Sequence, residues 1–362
     1  MPRRSVGPAS ENLHNSGRCV EPSTSAKDMR SSVLGVEMSY DELTPTSVIA
    51  AAGRLKGYVL RTPLDSSRAL SEASGASEVH LKLENLQRTG SFKIRGALNR
   101  LFTLDERERA LGVVAASAGN HALGVAEAAT VLKLRATLIV PKGASSAKIA
   151  ALRRYSEEHV ELLVEGANYD EAECLAIQVA RQTNRRFVSP YNDPQVMVGQ
   201  GTIGLEILED LPNVQTLLVP VGGGGLLVGI ALWAKAINRQ IRVVGVQSTA
   251  SPSMRAAFAA GHLVTVQVMD SLADGISGNI ELGSPMYDLA REYVDEIVLV
   301  EEPEIAQAMV WYVQQHHLIV EGSGAVVLAA LLNRRVAGIT GKAVAAVLTG
   351  RNVATERLKA LL

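Results

Sequence analysis

The sequence predicts an α/β fold with mainly parallel sheets, and three observations predict it. From about residue 47 onward, short apolar runs alternate with longer amphipathic stretches, as in strand–helix–strand units. No repeat of fixed period and no low-complexity linker cuts this part of the chain. A run of four glycines, Gly222 to Gly225, joins a strand-like run to a helix-like one, which is where an α/β protein places an anion-binding turn.

Taken in order, the candidate strands of the first half are 79–83, 112–116, 136–140 and 161–164. Those of the second half are 217–221, 242–246 and 343–348. Most are short apolar runs, such as 136–140 and 343–348, of the length and character of buried strands. Between them lie alanine-rich segments such as 121–132 and 168–182, whose composition favours helix. Residues 226–233 read as a helix packing back onto the sheet.

Composition narrows the function classes. The 362 residues are 47% hydrophobic and only 4% aromatic, with 36 basic against 37 acidic side chains. That length supports two domains or one large one with an ample core. Near-neutral charge without a basic cluster argues against nucleic acid as a partner. No apolar run approaches the roughly 20 residues that cross a bilayer. Cys19 and Cys174 are too few for a disulfide framework or, alone, a zinc site. Together these features point to a reduced, cytoplasmic, soluble protein. Residues 1–40 are rich in serine, glycine, proline and scattered charge without periodicity, and read as a disordered tail. Glu11, Glu21 and Asp28 do not suit an organellar transit peptide, and Met29 or Met38 is an alternative start.

Two segments carry chemistry. Lys93 sits in Gly90-Ser91-Phe92-Lys93-Ile94-Arg95-Gly96-Ala97, a tight and partly apolar setting in which desolvation lowers an amine's pKa and makes it nucleophilic. Alone, such a lysine reads as a solvated surface charge. The glycine run supplies the second half. Residues without a Cβ let a phosphate approach consecutive backbone N–H groups at a helix start. Leu226-Leu227 stands where a P-loop needs Lys-Ser/Thr, and Leu227 where a dinucleotide fingerprint needs glycine. An imine-forming amine with a phosphate cradle points to pyridoxal phosphate.

Further motifs follow in order: Leu83-Glu84-Asn85-Leu86-Gln87, Ser117-Ala118-Gly119-Asn120-His121-Ala122, Gly199-Gln200-Gly201-Thr202, Asp274-Gly275, Glu321-Gly322-Ser323-Gly324-Ala325 and Leu348-Thr349-Gly350-Arg351-Asn352. With these the chain resembles the threonine dehydratase/serine racemase family of fold type II pyridoxal-phosphate enzymes, from about Thr62 to Asn352. The resemblance implies two open twisted sheet domains with helices on both faces and an active site in the cleft between them. A large domain of 41–105 and 190–362 would enclose a small domain of 106–189. It implies a homodimer or homotetramer.

By the same resemblance, Lys93 carries the cofactor as an imine and later removes the substrate's α-proton. The backbone amides of Gly222, Gly223, Gly224, Gly225 and Leu226 hold the phosphate. Asn120 bonds the pyridine-ring hydroxyl, Phe92 packs on one cofactor face, and Thr349 stands near the pyridine nitrogen. Ser117, Ala118, Gly119 and His121 form the loop that receives the substrate carboxylate, at a strand end and helix start where amides face an anion. A hydroxyl at Thr349 is a weak partner that does not hold the ring nitrogen protonated, which favours elimination over transamination.

Racemases of this family carry a serine at the second position of the Ser117 loop; Ala118 has no proton to give. The chain therefore reads as an L-threonine/L-serine dehydratase releasing a 2-oxo acid and ammonia. Other 3-hydroxy amino acids (hydroxyaspartate, phenylserine, a hydroxylated diamino acid) and serine racemisation with lyase side activity are the alternatives. Relatives that bind magnesium use carboxylates after the strand 243–246. Gln247-Ser248-Thr249-Ala250-Ser251 offers none, so no divalent metal is expected there. Little chain follows Thr349, so a C-terminal regulatory domain is not expected. Arg351 replaces a common glycine and points either to substrate or to solvent. Tyr191 is a candidate for the side-chain pocket, and Glu321 for either a family role or a plain cap.

Overall fold

The computed structural model describes residues 40–117, 119–144, 146–155 and 158–362. Residues 1–39 of the expected tail and Ala118 lie outside the described residues, while Tyr40, its last residue, opens a 3-10 turn, Tyr40–Glu42. Among the described residues, ten strands form two sheets: β1 (Leu64–Ser66), β2 (Glu78–Lys82), β3 (Val113–Ala116), β4 (Ala136–Val140), β5 (Val160–Val164), β6 (Arg186–Phe187), β7 (Thr216–Pro220), β8 (Arg242–Ser248), β9 (Glu296–Val300) and β10 (Ala343–Val347). The six-stranded sheet has the order β1-β2-β10-β7-β8-β9, and the four-stranded one the order β5-β4-β3-β6. Every pairing is parallel except β1 with β2.

All seven expected strands are present, with ends shifted by a residue or two. Three strands went unread. Leu64–Ser66 and Arg186–Phe187 are too short to show a period. Glu296–Val300 carried a legible signal in Ile297-Val298-Leu299-Val300. Strands β3, β4, β7 and β10 are buried along their whole length, which explains their unbroken apolar character.

The order of the large sheet places β2 beside β10 and β10 beside β7. The carboxyl ends of these three strands therefore open on one edge, where ligands of open α/β sheets bind. Helix Lys93–Phe102 and helix Asn120–Leu132 cross at Gly124, where a Cβ would lie 3.1 Å from the Lys93 carbonyl oxygen. This close approach sets the start of the second helix against the lysine turn.

A buried charge network anchors that turn. Arg95, fully buried, donates to Glu84 through Nε at 2.9 Å and Nη2 at 2.8 Å. It also donates to Glu206 through Nη1 at 2.7 Å and Nη2 at 2.9 Å. Lys82 Nζ adds a 2.6 Å contact to Glu206 and donates to the Thr62 carbonyl at 2.7 Å. Two carboxylates and two cations thus neutralise one another around helix Lys93–Phe102, the condition for keeping charges in a core. At the start of helix Pro194–Asp210, Asp193 accepts from the amides of Gln195 and Val196 and pairs with Arg100 at 2.9 Å, fixing the chain just after Pro190-Tyr191.

Candidate active site

The lysine turn is pinned at its back. Gly90 takes φ +75°, a conformation that favours glycine. The Phe92 amide donates to the Thr349 carbonyl at 3.1 Å, and Ser91 bridges Gly350. Lys93 opens its helix, half-buried, with Nζ donating to the Pro190 carbonyl at 2.8 Å. Its ammonium has no carboxylate partner at bonding distance among the described contacts. Desolvation pushes its pKa down to about 8, against the pull of the Glu321 charge. The Phe92 ring centroid lies 5.2 Å from Nζ, so the two side chains named together from sequence are neighbours in space.

The glycine run ends β7 and starts helix Gly225–Ile237. Gly224 is its N-cap at φ +99°, without any side-chain cap, so the first-turn amides have no partner from a capping side chain. The missing Cβ atoms have a packing reason as well. At Gly223 a Cβ would fall 2.3–2.5 Å from the Tyr191 ring, at Gly225 2.6 Å from the Tyr191 carbonyl, and at Gly222 3.0 Å from Ile276. Tyr191 and Ile276 therefore brace the loop where Cβ atoms would otherwise stand.

Thr349 follows β10, buried, and its hydroxyl has no hydrogen-bond partner among the described residues. An orphan buried hydroxyl carries a desolvation penalty that a ligand atom removes. A lowered lysine amine, uncapped glycine amides and a waiting hydroxyl fit pyridoxal phosphate in its amine, phosphate and ring-nitrogen contacts. A family model described as pyridoxal-phosphate dependent enzyme matches residues 55–350.

The chain belongs to the pyridoxal-phosphate dependent enzyme family. Among its relatives, an L-threonine ammonia-lyase of Thermotoga maritima is 45% identical over 86% of this chain and 76% of its own length. The catabolic L-threonine dehydratase of Escherichia coli K12 is 42% identical over 86% and 93%. Maize serine racemase superposes with a TM-score of 0.82 at 32% identity, covering 88% of this chain and 96% of its own. The processed threonine deaminase isoform 2 of Solanum lycopersicum gives 0.81 at 31%, covering 89% and 86%. The fold is thus that of the fold type II pyridoxal-phosphate enzymes, and the cofactor is pyridoxal phosphate.

Within this family site, the loop after β3 brings Ser117, Gly119, Asn120 and His121 to the start of helix Asn120–Leu132. Ser117 Oγ accepts from the Gly119 amide at 3.0 Å, and a Cβ on Gly119 would meet nothing within 4 Å, so that side of the loop is open. The His121 side chain is turned elsewhere. Its Nε2 faces the Val188 carbonyl at 2.9 Å. Desolvation, with the Lys93 charge, pushes its pKa down to about 3, so the ring is neutral with its proton on Nε2.

Sequence reading left Glu321 between a family role and a plain cap. It stands at the N-cap of helix Gly322–Leu332 but makes no side-chain cap. Instead Oε1 accepts from Asn120 Nδ2 at 2.7 Å, and Oε2 from the Asn352 amide at 3.1 Å. Burial, with the Asp274 charge, pushes this carboxyl up to about 7. An acid placed just before a Gly-Ser-Gly-Ala helix start was the only local signal. Arg351 is exposed, and its Nη1 donates to the Asn85 carbonyl at 2.7 Å; it ties strand ends together. Tyr191 accepts through its hydroxyl from the Glu281 amide at 3.2 Å. At the end of β8, the Gln247 side chain is engaged with the Val221 carbonyl and the Arg255 amide, and Ser248 bonds Glu302 at 2.5 Å.

Proposed function

We propose that the protein is an ammonia-lyase that eliminates water from L-threonine, L-serine or both, yielding 2-oxobutanoate or pyruvate and ammonia. The observation that carries this reading is the Lys93 amine, which donates at 2.8 Å to the neutral Pro190 carbonyl and is pushed down to about 8 by desolvation. Such a group takes up an α-proton near neutral pH. The relatives named for threonine breakdown at 40–45% identity supply the substrate class.

When bound, pyridoxal phosphate supplies the electron sink that makes the α-proton acidic. The chain's own residues do the rest. Lys93 would hold the cofactor through its amine and would accept the α-proton. The amides of Gly222, Gly223, Gly224, Gly225 and Leu226 would hold the phosphate, Asn120 the ring hydroxyl, and Phe92 would pack against one face. Thr349 offers the ring nitrogen a hydroxyl rather than a carboxylate, so the nitrogen is not held protonated. The amides of Ser117, Ala118, Gly119 and His121 receive the substrate carboxylate. Loss of the α-proton and the β-hydroxide gives an enamine, which tautomerises and is hydrolysed to the 2-oxo acid and ammonia; the water lost is the water regained.

Likeness to maize serine racemase favours racemisation as a second reading. The identity of Ala118 opposes it, because a methyl group cannot return a proton to the other face. We further read 41–105 with 190–362 as a large domain and 106–189 as a small one, the protein as a cytoplasmic homodimer or homotetramer, and the substrate as a small 3-hydroxy amino acid. The fold's own contribution is that no helix among the described residues is long and apolar enough to cross a membrane.

The test is 2-oxo acid release from L-threonine, L-serine and bulkier 3-hydroxy amino acids, with Lys93→Ala as control. Lysine-dependent 2-oxobutanoate or pyruvate supports the reading. Turnover confined to D-serine formation, or to none of the panel, overturns it.

A further inference from the structure

Asn120 can face the cofactor with either end of its amide, as a donor or as an acceptor, and the two ends differ in chemistry but hardly in shape. Its two polar atoms are already engaged. Nδ2 donates to Glu321 Oε1 at 2.7 Å, and Oδ1 accepts from Asn352 Nδ2 at 2.7 Å. One N–H of Asn120 is then left over for the ring hydroxyl.

Glu321 alone cannot hold that orientation at neutral pH. As a carboxylate it demands the N–H end of Asn120. As a carboxylic acid it can donate, and then it accepts the flipped amide equally well. Its carboxyl titrates near 7, so the demand lapses within the working range. The groups acting on it are Asp274, which raises it, Asn120 and the Asn352 amide, which lower it, and the cations Lys148 and Lys93; Arg357 and Lys148 in turn pair with Asp274.

Asn352 has no such ambiguity. Its Nδ2 also donates to the Thr89 carbonyl at 2.9 Å, which fixes its own amide with the nitrogen toward Asn120. A carbonyl does not titrate, so this donor persists at every pH. A flipped Asn120 would set N–H against N–H there. The Asn352 backbone is held in turn by Glu321 and by its neighbour Arg351, whose amide donates to the Gly90 carbonyl at 2.9 Å.

We propose that Asn352 is a positioning residue that keeps the donor end of Asn120 toward the cofactor hydroxyl whether Glu321 is ionised or protonated. The inference rests on the family reading of Asn120, not on which amino acid is the substrate.

The experiment compares the cofactor-loaded wild type with Asn352→Ala and Asn352→Gln. At about pH 8.5 Glu321 is ionised and orients Asn120 unaided, so Asn352→Ala should keep kcat within about threefold of wild type. At about pH 6 its kcat relative to wild type should fall by a further factor of about ten, the order expected when a buried hydrogen-bonding group faces the wrong partner. KM should move less than kcat, and Asn352→Gln should recover part of the loss. The visible absorbance of the bound cofactor, titrated without substrate, should show an added step near pH 7 in Asn352→Ala. A kcat ratio constant across pH, together with an unaltered absorbance titration, would mean that Asn352 is merely structural and overturns the proposal. An added absorbance step in a protein inactive on threonine and serine would uphold this inference while sinking the proposed substrate.

Discussion

Glu321 and Asn120 stand 201 residues apart in the chain and meet at 2.7 Å, joining the turn before helix Gly322–Leu332 to the loop that follows β3. The carboxyl is buried and pushed up from its usual 4.5 to about 7. A carboxyl raised by folding stabilises the fold relative to its charged form only while protonated. Its penalty is absent below about pH 4.5, grows as pH rises, and is complete above about 7.

Glu321→Gln removes that penalty while keeping the side chain's size. Urea unfolding of the cofactor-free protein should show a gain of about 1–3 kcal/mol at about pH 8 and little change near pH 4.5. Equal effects at both pH values would show that the carboxyl is not raised.

Lys93 carries a lowered amine in the cofactor-free protein. Desolvation lowers it to about 8, so near pH 7.5 a much larger fraction is neutral than for a surface lysine with the ordinary value of about 10.4. Brief treatment with an amine-specific reagent, followed by peptide mass spectrometry, should find Lys93 labelled ahead of exposed lysines such as Lys56. Prior loading with pyridoxal phosphate should block it. Labelling no faster than at Lys56 would contradict the lowered amine.

At Gly223 the Tyr191 ring occupies the space of a Cβ. Gly223→Ala must move either the ring or the loop, with overpacking of about 1–3 kcal/mol, and cofactor affinity should fall by about tenfold or more. Removing the ring in Gly223→Ala/Tyr191→Ala should restore part of the affinity. Equilibrium dialysis of pyridoxal phosphate measures both; no recovery would place the defect in the loop alone.

Arg95 answers two buried carboxylates, Glu84 and Glu206. Arg95→Met leaves them with only Lys82 and should destabilise the fold by about 3–5 kcal/mol. Thermal unfolding of the cofactor-free protein tests this, and a melting temperature within a degree or two of wild type would show the network to be dispensable. Because Arg95 lies on the helix that Lys93 opens, cofactor binding should weaken in the same variant.

The order of elements was legible because it rests on local signals. Apolar runs such as 136–140 and 343–348 announce strands buried on both faces, and the glycines from 222 to 225 announce a turn that no side chain may fill. Lys93, the Ser117 loop and Thr349 could be named because their flanking motifs stand contiguous in the chain. Contiguity says which residues occur together and nothing about where side chains point. Only the tertiary structure turned the His121 ring to Val188, carried the Arg351 guanidinium to Asn85, set Tyr191 under Gly223, and led Glu321 away from its own helix to Asn120. Each of these contacts joins segments distant in sequence, and protonation follows from them: burial and neighbouring charge, which no short motif encodes, move Lys93 down and Glu321 up toward neutrality. The sequence by itself determined the fold and the cofactor; packing decided which groups around Lys93 hold protons and which way they face.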